Sequence, residues 1–393
     1  MTQTLRTREP LLTRRFVALV VAELAYFTAA GMAILALPLF VTGPLDGSAA
    51  AAGVAFGAFA VTALLARPVV GRLCDRWGRL PLMVAGAAIA AFGLALTAYA
   101  ESLAVVLALR MLLGVGEAAF FVAGLAALAD LAPPDRLGEA VSYSSLGLYL
   151  GLTLGPPLGE VLLRTSGFQA VWWGAAVLAA AAAALARLVG ETRDGTAPDE
   201  PGGLIHLPAI APGLGFLASV VAMGGFLAFA ALHARESGLA NASLPLVVYG
   251  GTVVVGRIAV GRYVDRFPPL LLGACALGVM GVGLSLLWLV TTPAGVLVGS
   301  AVTAVGVVFS TPAFFSAIFS TASPSTRGAA SATASIALDL GLAGGPLLVG
   351  VVAEGAGISG AFAVCAGIAV LGMLWTGLLA QRTQHVGGGT GLG

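Results

Sequence analysis

The sequence predicts an all-α integral membrane protein of twelve transmembrane helices in two six-helix repeats. Three observations lead there. Of 393 residues, 59% are apolar and only 9% charged, too few to coat a surface in water, where soluble domains carry about a quarter. Apolar runs of about 20 residues, the length needed to cross a bilayer, recur twelve times. The segment "RPVVGRLCDR" (67–76) returns as "RIAVGRYVDR" (257–266), 190 positions later, with Arg, Val, Gly, Arg, Asp and Arg identical.

The basic segment 1–15 leads into a run at 16–41, too long for a signal peptide and without a clear cleavage site before Pro38. Further runs follow at 49–70, 81–99, 103–129, 140–163 and 169–189, closing a first bundle at 16–189. The break at 190–208, "ETRDGTAPDEPGG" at its start, is the longest and most polar. A second bundle at 209–380 contains runs at 209–233, 244–261, 269–290, 294–319, 329–353 and 358–380, before a tail at 381–393. Shorter breaks such as "TGPLDGS", "DLAPPDRLGE" and "ASPSTRG" carry turn residues.

All 19 basic residues are Arg. With the N-terminus inside, fourteen fall in cytoplasmic segments and two, Arg164 and Arg235, outside; Arg67, Arg110 and Arg257 lie within spans. That bias puts both termini in the cytoplasm, as in a bacterial inner membrane. A net charge of +1 and no basic arm argue against nucleic acid as a partner. Cys74, Cys275 and Cys365 are odd in number and lack metal-ligand spacing, so they read as free thiols. His206, His233 and His385 lie near span ends, and no phosphate-binding loop or nucleophile–base pattern stands out. No metal, no other cofactor, no ATP-driven step and no enzyme activity are expected.

A second match shares the 190-residue offset: Gly155-Pro156 in "LGPPLG" meets Gly345-Pro346 in "GGPLLVG". Six spans is an even number, so both copies enter the membrane alike, as parallel repeats do. With these residues in view, the chain resembles the major facilitator superfamily over Phe16 to Ala380. "GRLCDRWGR" is similar to that family's cytoplasmic signature at Gly71, Asp75, Arg76, Gly78 and Arg79, departing at Leu80, where another basic residue is usual. The second copy keeps Gly261, Asp265 and Arg266 and then departs with Phe267-Pro268-Pro269. The resemblance implies a latch between the halves that breaks when the carrier turns inward. Physically, Gly71 allows close helix approach, and Asp75 can cap a helix N-terminus and pair with Arg.

Gly151, Gly155, Pro156 and Gly159 in the fifth span resemble the motif typical of the family's proton-driven exporters, with Glu160 where the motif has Gly. "LRMLLGVGE" resembles the family's R-x-x-x-G motif, linked there to proton coupling, at Arg110 and Gly114. Independently of that, Arg110 lies deep in its span and requires an answering acid. Glu117, two turns along the same face, is a candidate ion-pair partner. Glu23, Glu117 and Asp339 are buried-acid candidates for carrying protons, with Arg110 as the tuning charge. Burial disfavours a carboxylate and a neighbouring guanidinium favours it, so such acids can load and release protons.

Other readings are structural. Glu160 and Arg164 are expected to pair at the outer surface, and Arg67 and Arg257 to snorkel near the cytoplasmic latch. Asp130 and Arg136 flank a turn they help anchor. Trp172 and Trp173 suit an interfacial belt. Tyr26, Phe27, Phe120, Phe121, Tyr149, Tyr249, Phe314 and Phe315 fall mid-span and are candidates for lining a substrate cavity, with core packing the alternative for each.

The function expected is proton-coupled export of small amphipathic or drug-like molecules by alternating access, with the protein a monomer whose partners are its substrate, protons and the lipid bilayer. The alternatives are proton symport that brings in a polar or anionic metabolite on Arg110, and a membrane receptor or scaffold that does not transport.

Overall fold

Four helices begin directly behind a hydroxyl side chain that accepts a hydrogen bond from one of the first free backbone amides, the usual N-cap. These are α1 (Arg14–Thr42) behind Thr13, α2 (Ala49–Trp77) behind Ser48, α4 (Leu103–Leu131) behind Ser102 and α9 (Pro293–Phe319) behind Thr292. The remaining helices are α3 (Arg79–Thr97), α5 (Leu137–Val189), α6 (Ile210–Glu236), α7 (Leu244–Val260), α8 (Pro269–Leu289) and α10 (Arg327–Gly388), with a short 3-10 turn at Leu207–Ala209. The computed structural model describes residues 11–133, 137–193, 206–260, 266–323 and 326–388, and among these there is no strand.

Among the described residues, the twelve expected spans meet ten α-helices because two helices are double. A straight helix of 53 residues, the length of α5, would be about 80 Å long, far beyond a hydrocarbon core of about 30 Å. It breaks at Gly167 (φ 80°), and the 62-residue α10 breaks at Gly357 (φ 73°). A positive φ is open to glycine at little cost.

The duplication extends to these boundaries. Arg79 and Pro269 start α3 and α8, Leu103 and Pro293 start α4 and α9, and Leu137 and Arg327 start α5 and α10. With the breaks at Gly167 and Gly357, all four pairs lie 190 residues apart. Packing repeats as well. α1 lies along α5 and α6 along α10; α3 packs on α4 and α8 on α9. The two sets meet where α2 touches α10 and where α7 touches α5, two contacts related by the same repeat, and also where α1 touches α6.

Small residues set these distances. A Cβ at Gly155 would sit 2.4 Å from the Thr28 carbonyl oxygen of α1, and one at Gly151 would sit 2.8 Å from that of Leu24. At the matching positions in the second set, a Cβ at Gly345 would lie 2.2 Å from the Val221 oxygen, and one at Gly341 2.6 Å from the Val220 side chain. Large apolar side chains point outward instead, Leu65 at 71% and Leu371 at 67% exposure, as lipid contact permits. Trp172 departs from the expected belt. It is 2% exposed and packs edge-on against Phe40 at 5.7 Å, whereas Trp173 is exposed and donates from Nε1 to the Tyr99 hydroxyl at 3.3 Å.

Candidate functional site

The deep charges gather around a residue expected to snorkel. Arg67, one position before Pro68 in α2, turns inward with its side chain 15% exposed. Its Nη2 donates to Asp339 Oδ1 of α10 at 2.9 Å, and its Nε lies 2.6 Å from Oδ2, close but off the hydrogen-bond line. The same Nη2 is 3.7 Å from Glu117 Oε1 of α4, and the guanidinium carbon lies 5.3 Å from the centre of the Phe121 ring. Asp339 is 3% exposed at its side chain and Glu117 12%, so two carboxylates share one cation in a largely dry place. Glu117 Oε2 has no hydrogen-bond partner.

The expected Arg110–Glu117 pair does not form. Arg110 is buried at 9% exposure, donates from Nε to the Ala55 carbonyl at 3.1 Å and lies 4.7 Å over the Phe59 ring. The cause is the register of α2 against α4, fixed where a Cβ on Gly114 would come 2.3 Å from the Phe59 carbonyl oxygen. With the helices side by side and running the same way, the carbonyl of Ala55 and the ring of Phe59 meet Arg110, while Arg67 meets Glu117. Cation–π contact and a carbonyl take the place of the missing acid. Arg67 belonged to this set on the same depth argument that singled out Arg110, since it lies ten residues from the end of α2 at Trp77 and Arg110 seven from the start of α4 at Leu103.

Glu23 stands apart, 8% exposed, accepting a hydrogen bond from the Ser144 hydroxyl of α5 at 2.5 Å. Four of the candidate cavity rings join α1 to α4: Tyr26 stacks on Phe120 at 4.2 Å and Phe27 meets Phe121 edge-on at 6.3 Å. Phe314 is fully buried beside Phe216, and Phe315 packs edge-on against the same ring at 5.4 Å. Tyr249 packs against Phe226 at 5.0 Å. Tyr149 takes a different neighbour: its ring centre is 4.2 Å from the guanidinium carbon of Arg257, whose Nη2 donates to the phenol oxygen at 2.8 Å. Arg257 is therefore not a snorkelling residue either.

Glu160 and Arg164 do not pair with each other. Glu160 is 7% exposed and accepts from the Ser243 backbone amide, just before α7, at 2.7 Å; Arg164 donates to the Asn241 side chain. The residue that replaces a motif glycine thus ties the first set of helices to the start of α7, where an anion suits the helix dipole.

In the signature loop, Asp75 lies 3.8 Å from Arg79, whose Nε pairs with Asp130 at 3.0 Å. Gly71 makes no close approach, since a Cβ there would meet nothing within 4 Å. The start of α3 is capped not by Asp75 but by Glu191, which accepts from the amides of Arg79 and Leu80 at 3.0 and 3.2 Å. Gly78 (φ 97°) makes room, since a Cβ there would fall 2.3 Å from Glu191 Oε2. Nothing in the loop "ETRDG" marks Glu191 for this role before the fold is known. Gly261, Asp265 and Arg136 lie outside the described residues; Arg266 is described and exposed.

Partial burial pushes the Glu191 carboxyl up, but amide donors from Arg79, Arg193, Leu80 and Thr192 outweigh it and hold it below the usual range. A depressed native value means the stabilisation is present at neutral pH and is lost as pH falls below about 4.5. Glu191→Gln is expected to flatten the acid dependence of the thermal midpoint between about pH 3 and 5. An unchanged profile contradicts the assignment.

The sequence profile described as Major Facilitator Superfamily matches residues 19–343 and, in a second alignment, 213–390. The chain belongs to the major facilitator superfamily. An uncharacterized major facilitator transporter of Burkholderia mallei (strain SAVP1) is 29% identical over 399 residues, covering 96% of this chain and 94% of its own. One from Salmonella typhimurium is 25% identical over 371 residues, covering 90% and 93%. Among solved superfamily structures, a bacterial homologue of the human lysosomal transporter Spinster, inward-facing and occupied, aligns with a TM-score of 0.76 at 17% identity, covering 94% of this chain and 96% of its own. The human organic anion transporter MFSD10 aligns at 0.71 and 19%, covering 92% and 99%. These likenesses show the major facilitator fold. Membership makes the protein a multi-pass membrane transporter of small molecules.

Proposed function

We propose that this transporter is a proton-coupled exporter of small amphipathic, drug-like molecules. Its halves, 16–189 and 209–380, alternate about a central site in a bacterial inner membrane, with the 190–208 loop and both termini in the cytoplasm. The observation that carries this reading is the charge count at the contact between α2 and α10. Arg67 holds Asp339 across the halves while Glu117 stands 3.7 Å away, leaving one carboxylate without a cation. An unbalanced buried charge is costly, and a single proton removes it. A proton on Asp339 weakens the grip of Arg67 and loosens the halves; its departure restores the grip. Proton occupancy thereby biases which arrangement of the halves is favoured. Glu23, bonded to Ser144, is a second carboxyl available to protons, and Arg110 fixes α4 against α2.

The distribution of contacts supports alternating access. At the end carrying Asn241, Glu160 and Arg164 bond across to the second half, and a Cβ on Gly53 would come 2.3 Å from the Pro346 oxygen. At the arginine-rich end, Asp75 and Arg79 bond within the first half. This pattern fits a carrier closed at the end that carries Asn241.

The test is transport by the purified protein in vesicles with an imposed pH gradient. Extrusion of an amphipathic dye is expected to follow the gradient, and Asp339→Asn to cut gradient-driven extrusion by about fivefold to 150-fold, the span of one coupling free energy. Extrusion by the parent that ignores the gradient overturns proton coupling.

A further inference from the structure

The repeat that relates Arg67 to Arg257 also relates the residues they hold. Asp339 in Leu338-Asp339-Leu340-Gly341-Leu342 and Tyr149 in Leu148-Tyr149-Leu150-Gly151-Leu152 lie 190 positions apart in otherwise identical pentapeptides. These two contacts between the halves are therefore copies of one device in which Tyr149 stands for Asp339 and Val307 for Glu117. On one side the guanidinium meets a carboxylate at 2.6 Å. On the other it meets a phenol at 2.8 Å and the face of its ring at 4.2 Å, and among the described residues no acid lies within 4.0 Å. Arg257 Nε is buried and has no hydrogen-bond partner, although Arg257 and Tyr149 both keep partial exposure.

A guanidinium does not shed its charge, and a fork of N–H donors fits a carboxylate, sulfonate or phosphate better than it fits one phenol oxygen. We propose that Arg257 and Tyr149 form an anion-binding site that holds the acidic group of the transported molecule, so that the ligand supplies the charge Asp339 supplies to Arg67. The substrate class is then an amphipathic organic anion. Its acidic group takes the partnerless Nε of Arg257 once the halves part and uncover it, with the Tyr149 hydroxyl turned to donate to it. This deepens the export reading and rests on it, since the site lies on the contact between moving halves. It needs no proton coupling to bind.

The experiment uses the full-length protein in discs of neutral phosphatidylcholine, titrated calorimetrically with 2-naphthoate, naphthalene-2-sulfonate and the neutral 2-naphthamide. Both anions are expected to bind at least about tenfold more tightly than the amide, the factor 1.4 kcal/mol provides. Tyr149→Asp places a carboxylate where the copy has one and is expected to remove that preference, as is Arg257→Gln. Tyr149→Phe, which keeps the ring, is expected to weaken the anions about fivefold, one hydrogen bond. If Tyr149→Asp does not fold, Arg257→Gln and Tyr149→Phe carry the test. Equal binding of anion and amide by the parent, or undiminished anion binding by Arg257→Gln, overturns the site. So does binding seen only as uptake of anionic phosphatidylglycerol when that lipid is included, since the site then belongs to a headgroup. Anion binding that survives in Asp339→Asn alongside lost gradient dependence separates the two claims: failure of binding sinks the site alone, and failure of gradient dependence in the parent sinks the coupling alone.

Discussion

Arg67→Met is expected to lower the stability of the folded protein by about 3–5 kcal/mol, the cost of removing one member of a buried pair and stranding its partner. The reason lies in the count at the α2–α10 contact, where the loss of one cation leaves Asp339, 3% exposed at its side chain, and Glu117, 12% exposed, with no compensating charge. Denaturant unfolding in detergent measures it. The double variant Arg67→Met with Asp339→Leu is expected to regain most of the loss, because apolar contact replaces the ion pair. It is not expected to regain gradient-driven transport. A single variant as stable as the parent contradicts the burial argument, and a double variant that still couples to protons places the coupling elsewhere, with Glu23 the next carboxyl to change.

Gly155→Ala and Gly345→Ala are expected to destabilise by about 1–3 kcal/mol each, the cost of overfilling a packed interface. In both cases the added carbon runs into backbone, which cannot rotate away: 2.4 Å from the Thr28 oxygen and 2.2 Å from the Val221 oxygen. Either α1 or α6 must then move off its partner. Gly213→Ala is the control, since a Cβ there meets nothing within 4 Å, and it is expected to be neutral or to stabilise by up to about 1 kcal/mol. Thermal midpoints of the three variants decide it, and equal shifts at all three contradict the close-approach account.

Much of the fold was legible because it is written along single helices. The 190-residue interval found at Arg67 and Gly155 predicts where α8, α9 and α10 begin and where α10 breaks. Glycines four apart in α5 announce a close neighbour, and that neighbour is α1. The fused connections at Gly167 and Gly357 were less visible, since nothing in composition separates a short loop from a turn made by one residue of positive φ. The site was legible in its membership and not in its pairing. Depth alone marked Arg110, Glu117, Glu23 and Asp339, but which acid meets which base depends on the register between helices distant in sequence. That register gave Glu117 and Asp339 to Arg67 and left Arg110 to a carbonyl and a ring. The same blindness applies to Glu160 and Arg164, four apart on one helix and bonded instead to the approach to α7, and to Trp172, turned inward by the packing of α5 on α1.

The single-residue joints at Gly167 and Gly357 have a mechanical consequence. With a single residue at each turn, the joined ends of the two arms of α5 stay together, as do those of α10, so a displacement at the end of one arm is shared by the other. Compliance has to come from the side-by-side sliding of whole hairpins. A few extra residues inserted at either joint would leave each arm folded and let force leak away between them.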